Sequence, residues 1–183
     1  IGSKIRFSKI SVGATENLII AASLAKGTTI LSNCAIEPEI KDLVNFLIKA
    51  GCNIKWIAKR SLKIVGVNKI NETTYTIMFD RIEAGTYLVA AAVTNGSVLV
   101  DGINPERLTK VIQKLEESGA TISLTKDSIA LSMENRKLKS VDITTAPFPE
   151  FPTDMQAQFS VMNAIANGTS NIYETVFENR FMH

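Results

Sequence analysis

The sequence predicts an α/β protein assembled from repeats of one unit, and three observations predict it. Ala-rich apolar stretches at 14–25, 83–94 and 155–166 each run into a glycine and then a short strand-like segment. Those glycines, Gly27, Gly96 and Gly168, recur roughly 70 residues apart, a period long enough for a whole supersecondary unit. After the first two strands, Glu37-Pro38-Glu39 and Asn104-Pro105-Glu106 carry the proline and acid that open a second helix.

The elements follow in order. Each first helix should stop at its Lys-Gly or Asn-Gly, because glycine takes the left-handed conformation that ends a helix. Strands come next at 28–31, 97–100 and 169–172. Second helices at 39–50 and 106–118 should stop at Gly51 and Gly119. Alternating strands at 52–57 and 62–67, then 120–125 and 128–133, complete the first two copies. The unit is helix, strand, helix, strand, strand, with one more strand leading in. Leu18, Ile19, Ala22 and Leu24 leave the first helix almost no polar face, which predicts burial on all sides. The third copy reaches Arg180-Phe181-Met182-His183, where its second helix is due, and stops; the repeat therefore predicts a segment of a longer chain.

Bulk properties exclude several classes. A chain of 183 residues makes one medium domain or pieces of two, and 45% hydrophobic with 21% charged residues is a globular composition. A net charge of +2 without a Lys/Arg run gives no basis for a nucleic-acid partner. Apolar runs such as 18–22 and 87–93 are too short to span a bilayer, and no signal-peptide pattern opens the chain. Cys34 and Cys52 form no CxxC pair and His183 is the single histidine, so no metal site is expected. Both cysteines read as small core residues, and reduced thiols fit a cytoplasmic protein.

Aligned on their glycines, Ser11-Val12-Gly13, Asp80-Arg81-Ile82 and Pro152-Thr153-Asp154 all fall at the start of a first helix. Such starts offer unpaired N–H groups and a partial positive charge, suited to an anion. Ser11 and Asp154 are also ordinary capping residues, and both readings stay open on residue type alone. Arg180 follows the third strand in a polar segment, where a solvated surface arginine is the plain alternative. A positioned carboxylate and a cation are nevertheless what a transferase acting on a hydroxyl and an anionic donor requires. Glu37 and Glu39 suit a helix start by the dipole argument alone.

Five ordered strings carry a resemblance that runs almost end to end: Ser11-Val12-Gly13-Ala14-Thr15, Glu37-Pro38-Glu39-Ile40, Asp80-Arg81-Ile82-Glu83, Phe151-Pro152-Thr153-Asp154-Met155-Gln156-Ala157-Gln158, and 174–181. They resemble the UDP-N-acetylglucosamine enolpyruvyl transferases (1-carboxyvinyltransferases) of peptidoglycan synthesis. The resemblance implies an inside-out α/β barrel of βαβαββ units, helices inside and sheets outside, in two domains facing a cleft. Residues 1–78 would be the last unit of the first domain. Residues 79–183 would be units of the second, the last one truncated, with Asp80 and Arg81 at the crossing as a hinge or interdomain pairing. The implied activity moves the enolpyruvyl group of phosphoenolpyruvate to the sugar 3-hydroxyl and releases phosphate, with no metal or organic cofactor. The implied partners are those two substrates and the remainder of the chain. Asp154 would take the hydroxyl proton and Arg180 would face the donor's phosphoryl and carboxylate groups. Ser11, Val12 and Gly13 would meet the diphosphate through backbone groups. Val176 and Phe177 would touch the sugar nucleotide through backbone and ring edge, and Glu37 would line the cleft. The family's reactive-cysteine loop and donor-binding arginines have no counterpart among these residues. The related 3-phosphoshikimate transferase, or a non-catalytic sugar-nucleotide-binding protein on the same fold, are the alternatives.

Overall fold

The structure, a computed structural model, describes residues 1–182; His183 lies outside the described residues. The chain forms two compact units, Ile1–Met78 and Phe79–His183. Each has its own apolar core, and the two cores share no residue.

In the first unit, β1 (Lys4–Arg6) pairs parallel with β2 (Thr28–Ser32), and β2 pairs antiparallel with β4 (Ser61–Val65), which pairs with β3 (Asn53–Ala58). Helices α1 (Val12–Ser23) and α2 (Pro38–Lys49) supply Ile19, Ala22, Ile40, Val44 and Leu47 to a core completed by Leu31, Leu62 and Ile64. The two cysteines are buried and unbridged there. Pro38 opens α2 with Glu39 in its first turn and Lys49 in its last, the charge order that complements the helix dipole. Gly51 ends α2 at φ 94°: its N–H meets the Ile48 carbonyl, and the Cys52 N–H meets that of Leu47, a Schellman stop.

In the second unit, β5 (Ser97–Asp101), β7 (Ser128–Ser132) and β6 (Thr121–Leu124) make an antiparallel sheet with β7 central. Helix α3 (Arg81–Val93) packs against it and against α4 (Thr109–Glu117) and α5 (Gln156–Ile165). A short parallel pair, β8 (Ile143–Thr144) with β9 (Ile172–Tyr173), belongs to the third repeat. Asp80 caps α3, its Oδ1 accepting from the N–H groups of Ile82 and Glu83. Arg81 is only 6% exposed, its guanidinium lying 5.9 Å from the centroid of the Phe148 ring.

Four expectations change. The first-helix glycines are not the helix stops. Asn95 takes the left-handed position after α3, at φ 53°, while α1 ends three residues before its C-terminal Lys-Gly and α5 ends at Ile165. Asparagine tolerates this conformation because its short amide can bond locally. The second helix of the second repeat is broken: a 3-10 turn at Pro105–Arg107 precedes α4. The third strand shortens to β9, since Thr169-Ser170-Asn171 stays outside it. The first helices are not buried all round. Ile20 and Leu24 on α1, Tyr87 on α3, and Val161 and Ile165 on α5 are exposed, because the elements packed on each helix within its unit leave part of its apolar surface uncovered.

Candidate active site

The C-terminal third of the second unit brings Asp154 and Arg180 together. Pro152 leads into a 3-10 turn, Thr153–Met155, which runs directly into α5. Proline has no N–H to lose at such a start, and its fixed φ suits it. No side chain caps this start: Asp154 instead points its Oδ1 at Arg180, whose Nη2 donates at 2.8 Å. The capping reading of Asp154 is therefore not the contact its side chain makes. Arg180 also lies over the Phe177 ring, 5.0 Å from its centroid, so it is not a merely solvated arginine. The side chains are 52% exposed for Asp154 and 31% for Arg180. An ion pair so open contributes about 0–1 kcal/mol to stability. Its geometry leaves the carboxylate accessible to a hydroxyl and the guanidinium accessible to an anion.

What holds the pair in register is a residue that the linear pattern did not single out. Glu174 leaves β9 and turns its carboxylate back on the chain. Oε1 accepts from the N–H groups of Val176 at 2.8 Å and Phe177 at 3.0 Å; Oε2 accepts from the Thr153 hydroxyl at 2.8 Å. Thr145 adds a second clamp, its Oγ1 accepting from the Thr175 N–H at 3.0 Å while its carbonyl accepts the Thr175 hydroxyl. Burial pushes the Glu174 carboxyl up. Hydrogen bonds from the Phe177 N–H, the Thr153 hydroxyl, the Val176 N–H and the Thr145 hydroxyl outweigh it and hold the group below its ordinary value. The only sequence signal was a glutamate two and three residues ahead of the amides it caps; its partners Thr153 and Thr145 are too distant in sequence to be read from spacing.

This clamp revises the reading of Val176 and Phe177. Their N–H groups are committed to Glu174, so backbone contact with a ligand is left to carbonyl oxygens, and the exposed Phe177 ring supplies its face or edge. Gln158 ties α5 to α3 by donating to the Thr86 hydroxyl at 2.9 Å. Gly85 on α3 gives Met155 room, since a Cβ there would stand 3.0 Å from its Sδ. The N-terminal turns of α3 and α5 thus lie side by side. Among the described residues, Oε1 of Gln156 and of Gln158 are buried without a partner.

The first unit gathers Ser11, Val12, Gly13 and Glu37. Ser11 caps α1, its Oγ accepting from the Ala14 N–H at 3.3 Å. The Thr15 hydroxyl donates to the Ser11 carbonyl at 2.7 Å and accepts from the Ala35 N–H at 3.0 Å. That link fastens the start of α1 to the 34–37 corner. Glu37 is buried, and its Oε2 accepts from the Ile36 N–H at 2.8 Å. Gly13 faces open space: a Cβ there would meet nothing within 4 Å. Glu16 is pushed up by burial first and then by the charges of Glu39 and Glu37, so three carboxylates share this corner. Any anion bound at this helix start relies on backbone N–H groups against that field. Among the described residues no His, Cys, Asp or Glu group is arranged to hold a metal, and no helix is long and apolar enough to cross a membrane.

Comparison with known proteins places the chain in a family and a fold. The profile of a family described as EPSP synthase (3-phosphoshikimate 1-carboxyvinyltransferase) matches residues 2–183. Curated relatives named UDP-N-acetylglucosamine 1-carboxyvinyltransferase are 58% identical in Pelagibacter ubique, 52% in Shewanella amazonensis and 50% in Coxiella burnetii, each across 100% of this chain. The chain spans 42–44% of the length of these relatives. Among solved structures, the enolpyruvyl transferase NikO from Streptomyces tendae is similar with a TM-score of 0.80 at 22% identity, over 93% of this chain and 41% of that one. An EPSP synthase from Acinetobacter baumannii is similar at a TM-score of 0.59 and 22% identity, over 93% of this chain and 40% of its own. The fold is thus the enolpyruvyl transferase fold, as the resemblance implied.

Proposed function

The chain belongs to the EPSP synthase (3-phosphoshikimate 1-carboxyvinyltransferase) family, and from that membership we propose that the protein containing it transfers the enolpyruvyl group of phosphoenolpyruvate to the 3-hydroxyl of UDP-N-acetylglucosamine. Phosphate leaves, and the product enters peptidoglycan synthesis. One observation carries the choice of acceptor. Identity of 50–58% along the whole chain is to proteins named for the UDP-sugar, against 22% to an EPSP synthase. The proposed activity belongs to a polypeptide of the relatives' length, of which residues 1–78 and 79–183 contribute parts of two domains. A cytoplasmic location is part of the same proposal, motivated by two buried, unbridged thiols.

In this reading Asp154 is the general base. Arg180 holds Oδ1, which leaves Oδ2 to take the hydroxyl proton as the oxygen bonds to C2 of the donor. The C2–C3 π pair takes a proton at C3 from an acid of the full-length protein to give the ketal. Loss of a C3 proton then re-forms the double bond as the C2–O bond to phosphate breaks. Proton transfer by a placed carboxylate depends first on hydrogen-bond reach. Arg180 balances negative charge on the donor as the tetrahedral ketal forms and phosphate departs. Ser11, Val12 and Gly13 take the diphosphate through N–H groups, Glu37 lines the same corner, and Phe177 and Val176 pack on the sugar nucleotide.

The test is a phosphate-release assay on the full-length protein with phosphoenolpyruvate and either UDP-N-acetylglucosamine or 3-phosphoshikimate. Turnover with the UDP-sugar and none with shikimate phosphate is expected. The reverse preference would replace the acceptor, and no turnover with either would leave the non-catalytic reading.

A further inference from the structure

We infer that Glu174 is a positioning residue for the transfer, joining the turn that carries Asp154 to the loop that carries Arg180 through one carboxylate. The inference rests on the assignment of Asp154 as base and deepens it. Thr153 immediately precedes Asp154, and its hydroxyl donates to Glu174 Oε2 at 2.8 Å. The other oxygen gathers the N–H groups of Val176 and Phe177, and Phe177 is the ring beneath Arg180.

The open pair Asp154–Arg180 is too weakly held by itself to fix its own geometry. Several hydrogen bonds converging on one ionised carboxylate are stronger and directional. Glu174 is separated from Asp154 by twenty residues of sequence, yet one bond spans the two segments. The Thr145–Thr175 clamp fixes the strand end from which Glu174 starts, so the carboxylate has a stationary base. Glu174 itself touches neither Asp154 nor Arg180 among the bonds described, so it acts through Thr153 and the loop.

The two oxygens have separable jobs, and that separation supplies the test. In the full-length protein, Thr153→Val removes the bond to the turn only. Glu174→Gln keeps an oxygen for the two loop amides but loses the charge facing Thr153. Each should lower kcat roughly tenfold to a hundredfold, the effect of a small misplacement at a reacting group, with KM for the UDP-sugar changed less than about twofold. Together they should cost no more than the worse single change, because Glu174→Gln weakens, by losing the charge, the same bond that Thr153→Val removes. Thr153→Ser should restore kcat, and Glu174→Ala, which also frees the loop amides, should raise KM as well. Additive losses, or a kcat loss that only tracks the folded fraction, would overturn the inference.

A readout independent of turnover separates failure of the positioning from failure of the activity reading. The Arg180 guanidinium resonances, set apart by pairing with Asp154, should move toward those of free arginine in Thr153→Val and Glu174→Ala. If wild type transfers nothing while these resonances move, the activity assignment falls and the link stands. If they stay in place, the link itself is refuted.

Discussion

In the proposed function Asp154 is important for chemistry, yet its surroundings make it nearly irrelevant to stability. Its bond to Arg180 is open to solvent, so removing the charge changes folding energy by about 1 kcal/mol or less. Asp154→Asn keeps the shape but cannot accept a proton. In the full-length protein, turnover should fall by roughly 10²-fold or more, with an unchanged melting temperature; a collapse in stability with normal turnover of the surviving fold would make Asp154 structural. Glu174 differs in contributing to stability as well. Its folded-state pKa lies below the ordinary 4.5, so its stabilising contribution is complete above that value and is lost as pH falls through the lower, folded-state pKa. The stability difference between wild type and Glu174→Gln should therefore be constant above about pH 4.5 and shrink below it. Melting curves in a pH series would show this, and a difference that grows on acidification would contradict the sign.

At the scale of elements, caps set the boundaries that orient the site. The Asp80 carboxylate accepts from two N–H groups at the start of α3, the helix beside which the Asp154 turn packs. Asp80→Ala should cost about 1 kcal/mol, the usual worth of such a cap, read from denaturant midpoints. At the far end of α4, Gly119 holds φ 106° with a Cβ position 3.0 Å from the Lys137 carbonyl oxygen. Gly119→Ala should cost roughly 1–3 kcal/mol, the range for forcing a side chain into left-handed backbone. Asn95→Gly after α3 should be close to neutral, because glycine accepts the same conformation more easily while adding freedom to the unfolded chain.

For the whole molecule, two disjoint cores predict two separable unfolding events. Trp56 is the only tryptophan and packs against the core of the first unit, so its fluorescence reports that unit alone. Gly66→Ala would place a Cβ 1.7 Å from the Ala25 carbonyl oxygen, a clash with backbone that no rotamer relieves. It should lower the Trp56 transition sharply. Leu115→Ala, in the second core, should cost about 2–5 kcal/mol and leave the Trp56 transition where it was. A Trp56 transition that followed Leu115→Ala would show the two units to unfold as one.

The repeat was legible in the residues themselves. Gly51 and Gly119 stop their helices as their position after an amphipathic run requires, and Pro38 opens one, because these signals act within a turn of their own backbone. Asp80 and Ser11 cap helices for the same local reason. The sequence offered Asp154 and Arg180 as a carboxylate and a cation in neighbouring motifs, but did not pair them with each other. Whether Asp154 would cap its helix or face Arg180 depended on where the chain returned after β9, which is a tertiary matter. So were the commitment of the Val176 and Phe177 N–H groups to Glu174, the transfer of the left-handed stop from Gly96 to Asn95, and the open faces of α1, α3 and α5. Local chemistry fixes the start or stop of an element at signals such as Pro38, Asp80, Gly51 and Gly119, but not at Gly27 or Gly168. Contacts between residues twenty to thirty apart, such as Thr153 with Glu174 or Thr145 with Thr175, exist only once packing has brought two strands and a helix start to one place.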